Sequence, residues 1–252
     1  MSYVQKVVIG DATLYQGDSM DILPTLGKVD HVITDPPYSE RTHAGHDECK
    51  GSALIADGRR SLGYAALSEA DCETLTQAYA AICDGWIVWM TDHTLAPAIE
   101  RAMKAAGRYS FSPLPYYAPG SRVRLSGDGP SSWTDWIMVS RTARQVRWGT
   151  LPGGYTSVPG ANDKARMGGK PSVLMEALVQ DYSRPGDTVL DSHMGAGTTG
   201  VACMRTGRKF IGCEIDPEAF ELSCRRIEQA YKQRPLFEAE PAPQPVQMGF
   251  IA

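Results

Sequence analysis

Four consecutive residues, Asp35-Pro36-Pro37-Tyr38, carry the most specific chemistry in this chain. They follow a short apolar run at 30–34 (DHVIT) that reads as a strand. Two prolines cannot continue a central strand, so the sheet must end there. A carboxylate and a carbonyl fixed side by side at such a point suit one difficult reaction. The exocyclic amine of a nucleobase is a poor nucleophile because its lone pair is delocalised into the ring. Acceptors for both of its N–H groups draw the nitrogen toward tetrahedral geometry and free that lone pair for an electrophile. Asp35 offers the side-chain acceptor and Pro36 the backbone carbonyl, whose direction the locked φ of the prolines holds. Tyr38 offers an aromatic face on which a base can stack, worth ~1–3 kcal/mol. A base inside a duplex must first be flipped out. Positioning amine and electrophile in line can then supply up to ~7–11 kcal/mol. Such chemistry needs no metal, and no activated Ser or Cys nucleophile is apparent.

A second constellation lies far downstream, in TVLDSHMGAGTTGVACMRTGRKFIGCEID at 188–216. A strand ends at Asp191, a Gly-rich turn follows, then a helix, then a strand ending at Glu214. Gly195 and Gly197 allow a tight turn and close backbone approach to a ligand. The helix start supplies free N–H groups and partial positive charge. Glu214, 17 residues after Gly197, stands where a carboxylate can bond both hydroxyls of a ribose. The loop GAGTTG also fits the dinucleotide fingerprint, so on its own it admits a nicotinamide cofactor as well as S-adenosylmethionine. No GK[ST] follows, which disfavours a P-loop.

Taken together, these motifs resemble the amino-group DNA methyltransferases that use S-adenosylmethionine. The resemblance covers most of residues 12–230. DPPY precedes the cofactor loop, as in the permuted β group, and DSHMGAGTT resembles that family's DPFxGSGTT. FIGCEIDP resembles its ribose-binding segment, LYQGD its acidic segment at the cofactor adenine, and Lys170-Pro171 the KP that opens the helix before the cofactor strand. The resemblance implies a Rossmann-like methyltransferase fold with a mainly parallel twisted sheet, helices on both faces and a circularly permuted motif order. It assigns catalysis to Asp35, Pro36, Pro37 and Tyr38. It assigns cofactor binding to Asp18, Lys170, Asp191, His193, Gly195, Ala196, Gly197, Thr198, Thr199 and Glu214. Ser192 and His193 depart from the family's usual Pro and Phe. Asp at the first catalytic position implies adenine N6 as the target, with cytosine N4 as the alternative. An NAD(P) oxidoreductase is the more distant reading, and it leaves DPPY without a task. A DNA-binding protein without catalysis is disfavoured by the intact Asp35, Tyr38 and Glu214.

Double-stranded DNA is the expected partner. Residues 141–170 hold six basic residues and one acid, in a chain whose formal charge is -4. Basic residues that neutralise phosphates position DNA without reading it. Arg144, Arg147, Lys164 and Arg166 are the candidates, with Trp148 and Tyr155 interleaved; Arg122 and Arg124 are further candidates. The shortness of this segment predicts a short recognition site or a relaxed one. His43, His46 and Cys49 lack a fourth local ligand, so a structural zinc site is not expected. Residues 39–64 read instead as a loop able to close over a flipped base.

These motifs need a scaffold. Across 252 residues, 42% hydrophobic and 21% charged composition is ordinary for a globular α/β chain. The net charge excludes a histone-like polycation but not a local basic patch. Six cysteines without a CxxC pair suggest a reduced protein. There is no signal-like start and no apolar run of ~18 residues, so a cytoplasmic protein of a bacterial or phage-infected cell is expected, without membrane or metal. Restriction-modification and stand-alone phage enzymes are both compatible, and a homodimer stays open. The pattern predicts a hairpin over 2–18, helices over 68–83, 94–106, 171–182, 198–206 and 217–232, and strands over 85–91, 108–117, 133–140, 188–191 and 209–215. One domain is expected over 1–233: a catalytic half to 140, a basic DNA-contact segment at 141–169 and a cofactor half from 170. A Pro-rich disordered tail is expected at 234–252.

Overall fold

The computed structural model describes residues 2–42, 65–120, 130–143, 148–157 and 169–233. Among these, ten strands form one sheet. β1 (Gln5–Ile9) and β2 (Ala12–Gln16) make the expected hairpin, and Gly10 turns it with φ 54°. A short helix α1 (Ser19–Ile22) leads to β3 (His31–Thr34), buried along its whole length. Then come α2 (Glu69–Ile82), β4 (Ile87–Thr91), α3 (Ala96–Ala105), β5 (Tyr109–Ser110), β6 (Leu114–Tyr117), β7 (Thr134–Arg141) and β8 (Tyr155–Thr156). The last third contributes α4 (Ser172–Tyr182), β9 (Thr188–Asp191), α5 (Thr198–Arg205), β10 (Lys209–Glu214) and α6 (Pro217–Lys232).

The strand order is β1-β2-β10-β9-β3-β4-β7-β6-β8, with β5 also on β7. β2, β10, β9, β3 and β4 are mutually parallel and the flanks are largely antiparallel. The two strands made last thus insert between two made first. Their apolar runs suit this position, because a central parallel strand is buried on both faces. One core layer packs α4, α5 and α6 on Val88, Met90, Val189 and Phe210. The other packs α2 and α3 on Val32, Ile87, Trp89 and Leu190. Successive residues of β4 alternate between the two layers, as a period of two demands. The chain leaves β9 toward β10 on one side, while β3 leads to β4 on the other. That is a topological switch point, where open α/β sheets place ligands at the carboxyl ends of the strands.

One expectation needs correction. Residues 108–117 do not form one strand. Ser110 pairs with Ser140, yet Leu114 pairs with Ile137, so one strand holds an extra residue. Pro113 lies in that interval and offers no N–H to the ladder, so the strand breaks into β5 and β6. Within 141–169, β8 pairs in parallel with β6. The expectations for residues 43–64 (His43, His46 and Cys49 included) and for 234–252 lie outside the described residues. No helix among the described residues is long and apolar enough to cross a membrane.

Candidate active site

The carboxyl ends of β3 and β9 lie side by side, and a hydroxyl joins them. Thr34 Oγ1 donates to Asp191 Oδ1 at 2.8 Å, and Thr199 Oγ1 donates to Asp191 Oδ2 at 2.6 Å. The His193 N–H also donates to Oδ1, at 3.1 Å. Asp191 is 2% exposed, and this burial raises its carboxyl to about 6 against those hydrogen bonds. It therefore ties the Gly-rich loop to the strand that leads into Asp35.

A cavity of about 430 Å³ opens over this junction, within the roughly 300–1,000 Å³ range of small-molecule sites. Asp18, Lys170, Asp191, His193, Gly195, Ala196, Thr198, Thr199 and Glu214 line it, as do Asp35 and Pro37. Sequence-separated motifs thus meet in one space. Gly197 is not in its lining. It has φ 74°, and a Cβ there would lie 2.8 Å from Ser223 Cβ on α6, so helix packing demands glycine. Gly195, with φ 52°, has open space where a Cβ would stand. Close approach to a ligand is therefore a feature of Gly195, and tight packing one of Gly197.

Glu214 is held from both sides. Oε2 accepts the Gly195 N–H and Oε1 the Asp216 N–H, each at 2.8 Å. An ionised carboxylate has about four acceptor sites, and these two backbone N–H groups take one on each oxygen and orient the group. Asp18 caps α1 by accepting the Met20 N–H at 2.8 Å, and Gly17 N–H donates to the Glu214 carbonyl. The acidic segment is in this way anchored beside Glu214.

The unusual Ser192-His193 pair is built into a polar chain. Tyr79, fully buried on α2, lies 2.5 Å from Ser192 Oγ. Ser192 Oγ is 2.9 Å from His193 Nδ1, and His193 Nε2 is 3.5 Å from Ser19 Oγ. Burial pushes the Tyr79 hydroxyl far above its usual range and lowers His193 to about 4. Both are neutral at pH 7, so Tyr79 remains able to donate and His193 presents an uncharged ring to the cavity.

Around the DPPY turn, the Lys170 ammonium donates to both Asp35 oxygens at 2.8 and 2.9 Å. It also lies 4.7 Å from the centre of the Tyr38 ring and 3.9 Å from Asp135 Oδ2. Tyr38 is 7% exposed, and its neighbour Pro36 is buried. Just beyond, Ser39 and Thr42 are fastened to Asp92 at the end of β4. Asp92 Oδ2 accepts the Ser39 N–H at 3.0 Å, the Ser39 hydroxyl at 2.5 Å and the Thr42 hydroxyl at 2.6 Å. Its Oδ1 accepts the Thr94 and Leu95 N–H groups, which starts α3. Those hydrogen bonds outweigh burial and hold the Asp92 carboxyl below its usual range. The Leu67 N–H donates to the Tyr38 carbonyl, so the chain also returns to this turn. Sequence reading missed Asp92 and Asp135. An acid directly after an apolar strand was the only available signal for Asp92, and Asp135 had none.

The DNA-contact candidates Arg122, Arg124, Arg144, Arg147, Lys164 and Arg166 lie outside the described residues. Their described flanks differ. Ala118 bonds to Trp133, and Ser157 to Tyr117, at the cavity end of the sheet. Thr142 bonds to the Asp84 carbonyl, and Trp148 packs on His31 and Trp86, at the opposite end. Trp148 and Tyr155 are body residues: Trp148 Nε1 donates to the Asp181 carbonyl, and the Tyr155 hydroxyl donates to the Asp181 carboxylate at 2.7 Å.

The strand order, with the cavity at its switch point, is that of the Rossmann-like methyltransferase fold. Residues 155–225 match the family model described as DNA methylase, that of the N6/N4 methyltransferases. The chain is 43% identical over 61 residues to the DNA adenine methyltransferase YhdJ of Escherichia coli K12; that match spans 24% of this chain and 21% of YhdJ. It is similar in fold to M1.HpyAVI in complex with S-adenosylmethionine, with a TM-score of 0.64 and 21% identity over 86% of this chain and 98% of that one. The cytosine-N4-specific PvuII DNA methyltransferase gives a TM-score of 0.66 at 16% identity, over 91% and 95% of the two chains.

Proposed function

We propose that this chain moves a methyl group from S-adenosylmethionine to the exocyclic N6 amine of an adenine flipped out of double-stranded DNA. The observation that carries the reading is the single cavity shared by Asp35 and Glu214. An acceptor suited to an amine and an acceptor suited to a ribose stand around one ligand-sized space. An oxidoreductase would leave Asp35 in that space without a task.

The residues present fit the cofactor. Glu214, oriented by two backbone N–H groups, takes the ribose hydroxyls. Gly195 lets the backbone approach, Thr198 and Thr199 open α5 beside it, and Asp18 and His193 close the adenine side. Asp191 acts indirectly, by fixing the loop. When bound, the cofactor supplies an electrophilic methyl group on a sulfonium. Asp35 and the Pro36 carbonyl hold the two N–H groups of the amine, which points its lone pair at that methyl. Pro37 keeps the turn rigid, and Tyr38 packs behind it against the Lys170 ammonium.

Asp at the first catalytic position supports adenine, as does the similarity to YhdJ. Cytosine N4 is the second reading, favoured by the likeness to a cytosine-N4 enzyme. For DNA contact we favour Arg122, Arg124, Lys164 and Arg166, because the described flanks of their segments lie at the cavity end. The flanks of Arg144 and Arg147 lie at the far end, so the proposal does not extend to them. A cytoplasmic site of action, beside bacterial or phage DNA, follows from this substrate.

Product analysis tests the proposal. The protein is incubated with unmethylated duplex DNA and S-adenosylmethionine, and the digested nucleosides are identified by mass spectrometry. N6-methyladenine is the expected product. N4-methylcytosine would reverse the base and keep the chemistry, and no methylated base with cofactor binding intact would overturn the reading.

A further inference from the structure

Lys170 was expected to serve the cofactor. It lines the cavity, and its nitrogen makes its short contacts with Asp35, from a position fixed by the backbone. Pro171 follows it and caps α4 with φ -60° and ψ 141°, and a residue before proline is restricted to extended conformations. The lysine side chain is 10% exposed and Asp35 20%, so water screens the pair little. Asp135, 9% exposed on β7, stands 3.9 Å away on the other side.

We infer that Lys170 is the positioning residue of Asp35: clamped between Asp35 and Asp135, its ammonium fixes that carboxylate as a charged acceptor aimed at the target amine. This rests on the methyltransferase reading. Only an ionised Asp35 can serve there, because a protonated carboxyl would present a donor to an amine that itself donates. Lys170 takes one acceptor site on each oxygen, of the roughly four that an ionised carboxylate has. The groups facing Asp35 are Lys170 from the segment before α4, Asp135 from β7, Tyr38 from its own turn and Asp191 from β9. Burial pushes the Asp35 carboxyl up, Lys170 is the main force opposing this, and Asp135 adds to the rise. The ammonium over the Tyr38 ring is also attracted by the ring's π-face, so Lys170 meets two of the other three groups, Asp135 and Tyr38, as well as Asp35.

The experiment is the pH profile of single-turnover methyl transfer to duplex DNA by the full chain, for wild type, Lys170→Met, Lys170→Arg and Asp135→Asn. An opposite charge beside a carboxylate lowers its pKa by about 1–3 units. Lys170→Met should therefore move the acid limb up by about that much, slowing transfer roughly 10- to 1,000-fold at pH values on the limb, with recovery in alkali. Lys170→Arg should restore the limb. Asp135→Asn should move it the other way, since a negative neighbour is gone. Cofactor affinity by calorimetry should stay within about threefold, below the free-energy scale of one lost hydrogen bond. A Lys170→Met rate reduced equally at every pH, or a weakened cofactor with an unmoved limb, overturns the inference. The Asp35 carboxyl midpoint can also be followed by carbon-13 NMR, assigned with Asp35→Asn, and should rise in Lys170→Met. This readout needs no turnover, so an inactive wild type would sink the methyltransferase reading alone, while an unmoved NMR midpoint would sink this one.

Discussion

The two ends of the sheet hold similar polar residues and use them in opposite ways. At the amino end, the guanidinium groups of Arg108 and Arg208 and both ring nitrogens of His31 find protein partners. Arg108 donates to Ser140 Oγ and the Cys83 carbonyl, each at 3.0 Å, and to the Gly85 carbonyl. Arg208 donates to Ser183 Oγ at 3.0 Å and to the Ser183 carbonyl at 2.9 Å. His31 Nδ1 accepts the Trp86 N–H, which leaves Nε2–H to donate to Asp187. At the carboxyl end, Asp35, Glu214 and His193 are equally well held, yet each borders the cavity. A polar cluster closed on itself is architecture, and one held from behind with capacity facing a cavity is machinery. Substitutions at the two ends should therefore fail in different assays.

The largest separation is expected for Asp35→Ala. Removing an acceptor that acts on the reacting group should slow methyl transfer by about 10²–10³-fold or more. The melting temperature and cofactor affinity should change little. A variant that loses cofactor binding in proportion to rate would assign Asp35 to the cofactor and erase the distinction.

Arg108→Met is the matching change at the closed end. It strands the Cys83 and Gly85 carbonyls in a buried place, where Arg108 is 6% exposed. A loss of about 2–4 kcal/mol in urea unfolding is expected, since each buried unsatisfied group costs roughly 1–3 kcal/mol. The protein that remains folded should bind cofactor normally.

The same contrast marks what could be read in advance. DPPY, the Gly-rich loop and Glu214 were legible because each carries its signal within a few residues: a strand, a stop, a turn and an acid at fixed offsets. The helices over 69–82 and 217–232 were legible from caps and periodicity. The link between Lys170 and Asp35 was not, because its members are 135 residues apart and no local pattern encodes such a contact. Trp148 and Tyr155 misled for a related reason. An aromatic beside basic residues looks the same whether it stacks on a base or packs on Trp86 and Asp181. The insertion of β9 and β10 between β2 and β3 was not legible, since strand order leaves no mark on hydropathy.

Glu214→Ala tests the open end from the cofactor side. It removes an acceptor for two hydroxyls and also frees the Gly195 and Asp216 N–H groups. Losing hydrogen bonds to a charged group costs about 1.5–3 kcal/mol, so affinity should fall roughly 10- to 100-fold by calorimetry. Stability without cofactor should drop far less than for Arg108→Met. An equal drop would mean that Glu214 holds the loop as Arg108 holds the strands.

The smallest effect concerns the two histidines. Burial lowers the pKa of both, with His193 at about 4. The folded state keeps each neutral, while the unfolded chain takes up a proton near pH 6.5. Each therefore adds stability that is present above pH 6.5 and is lost as pH falls below it; for His193 the loss continues down to about 4. Between pH 6.5 and 5.5 this amounts to about 1 kcal/mol for His193. Asp191, raised to about 6, works in the opposite direction over part of that window, so the test compares variants with wild type. The pH dependence of urea unfolding should flatten in His193→Gln and in His31→Gln. His31 is braced on both ring nitrogens, whereas His193 Nε2 has only the long 3.5 Å approach to Ser19. His31→Gln should therefore also lower stability at pH 7.5 more than His193→Gln does. Equal losses at that pH would show that the cavity end is as closed as the other, and that the histidine there serves the fold alone.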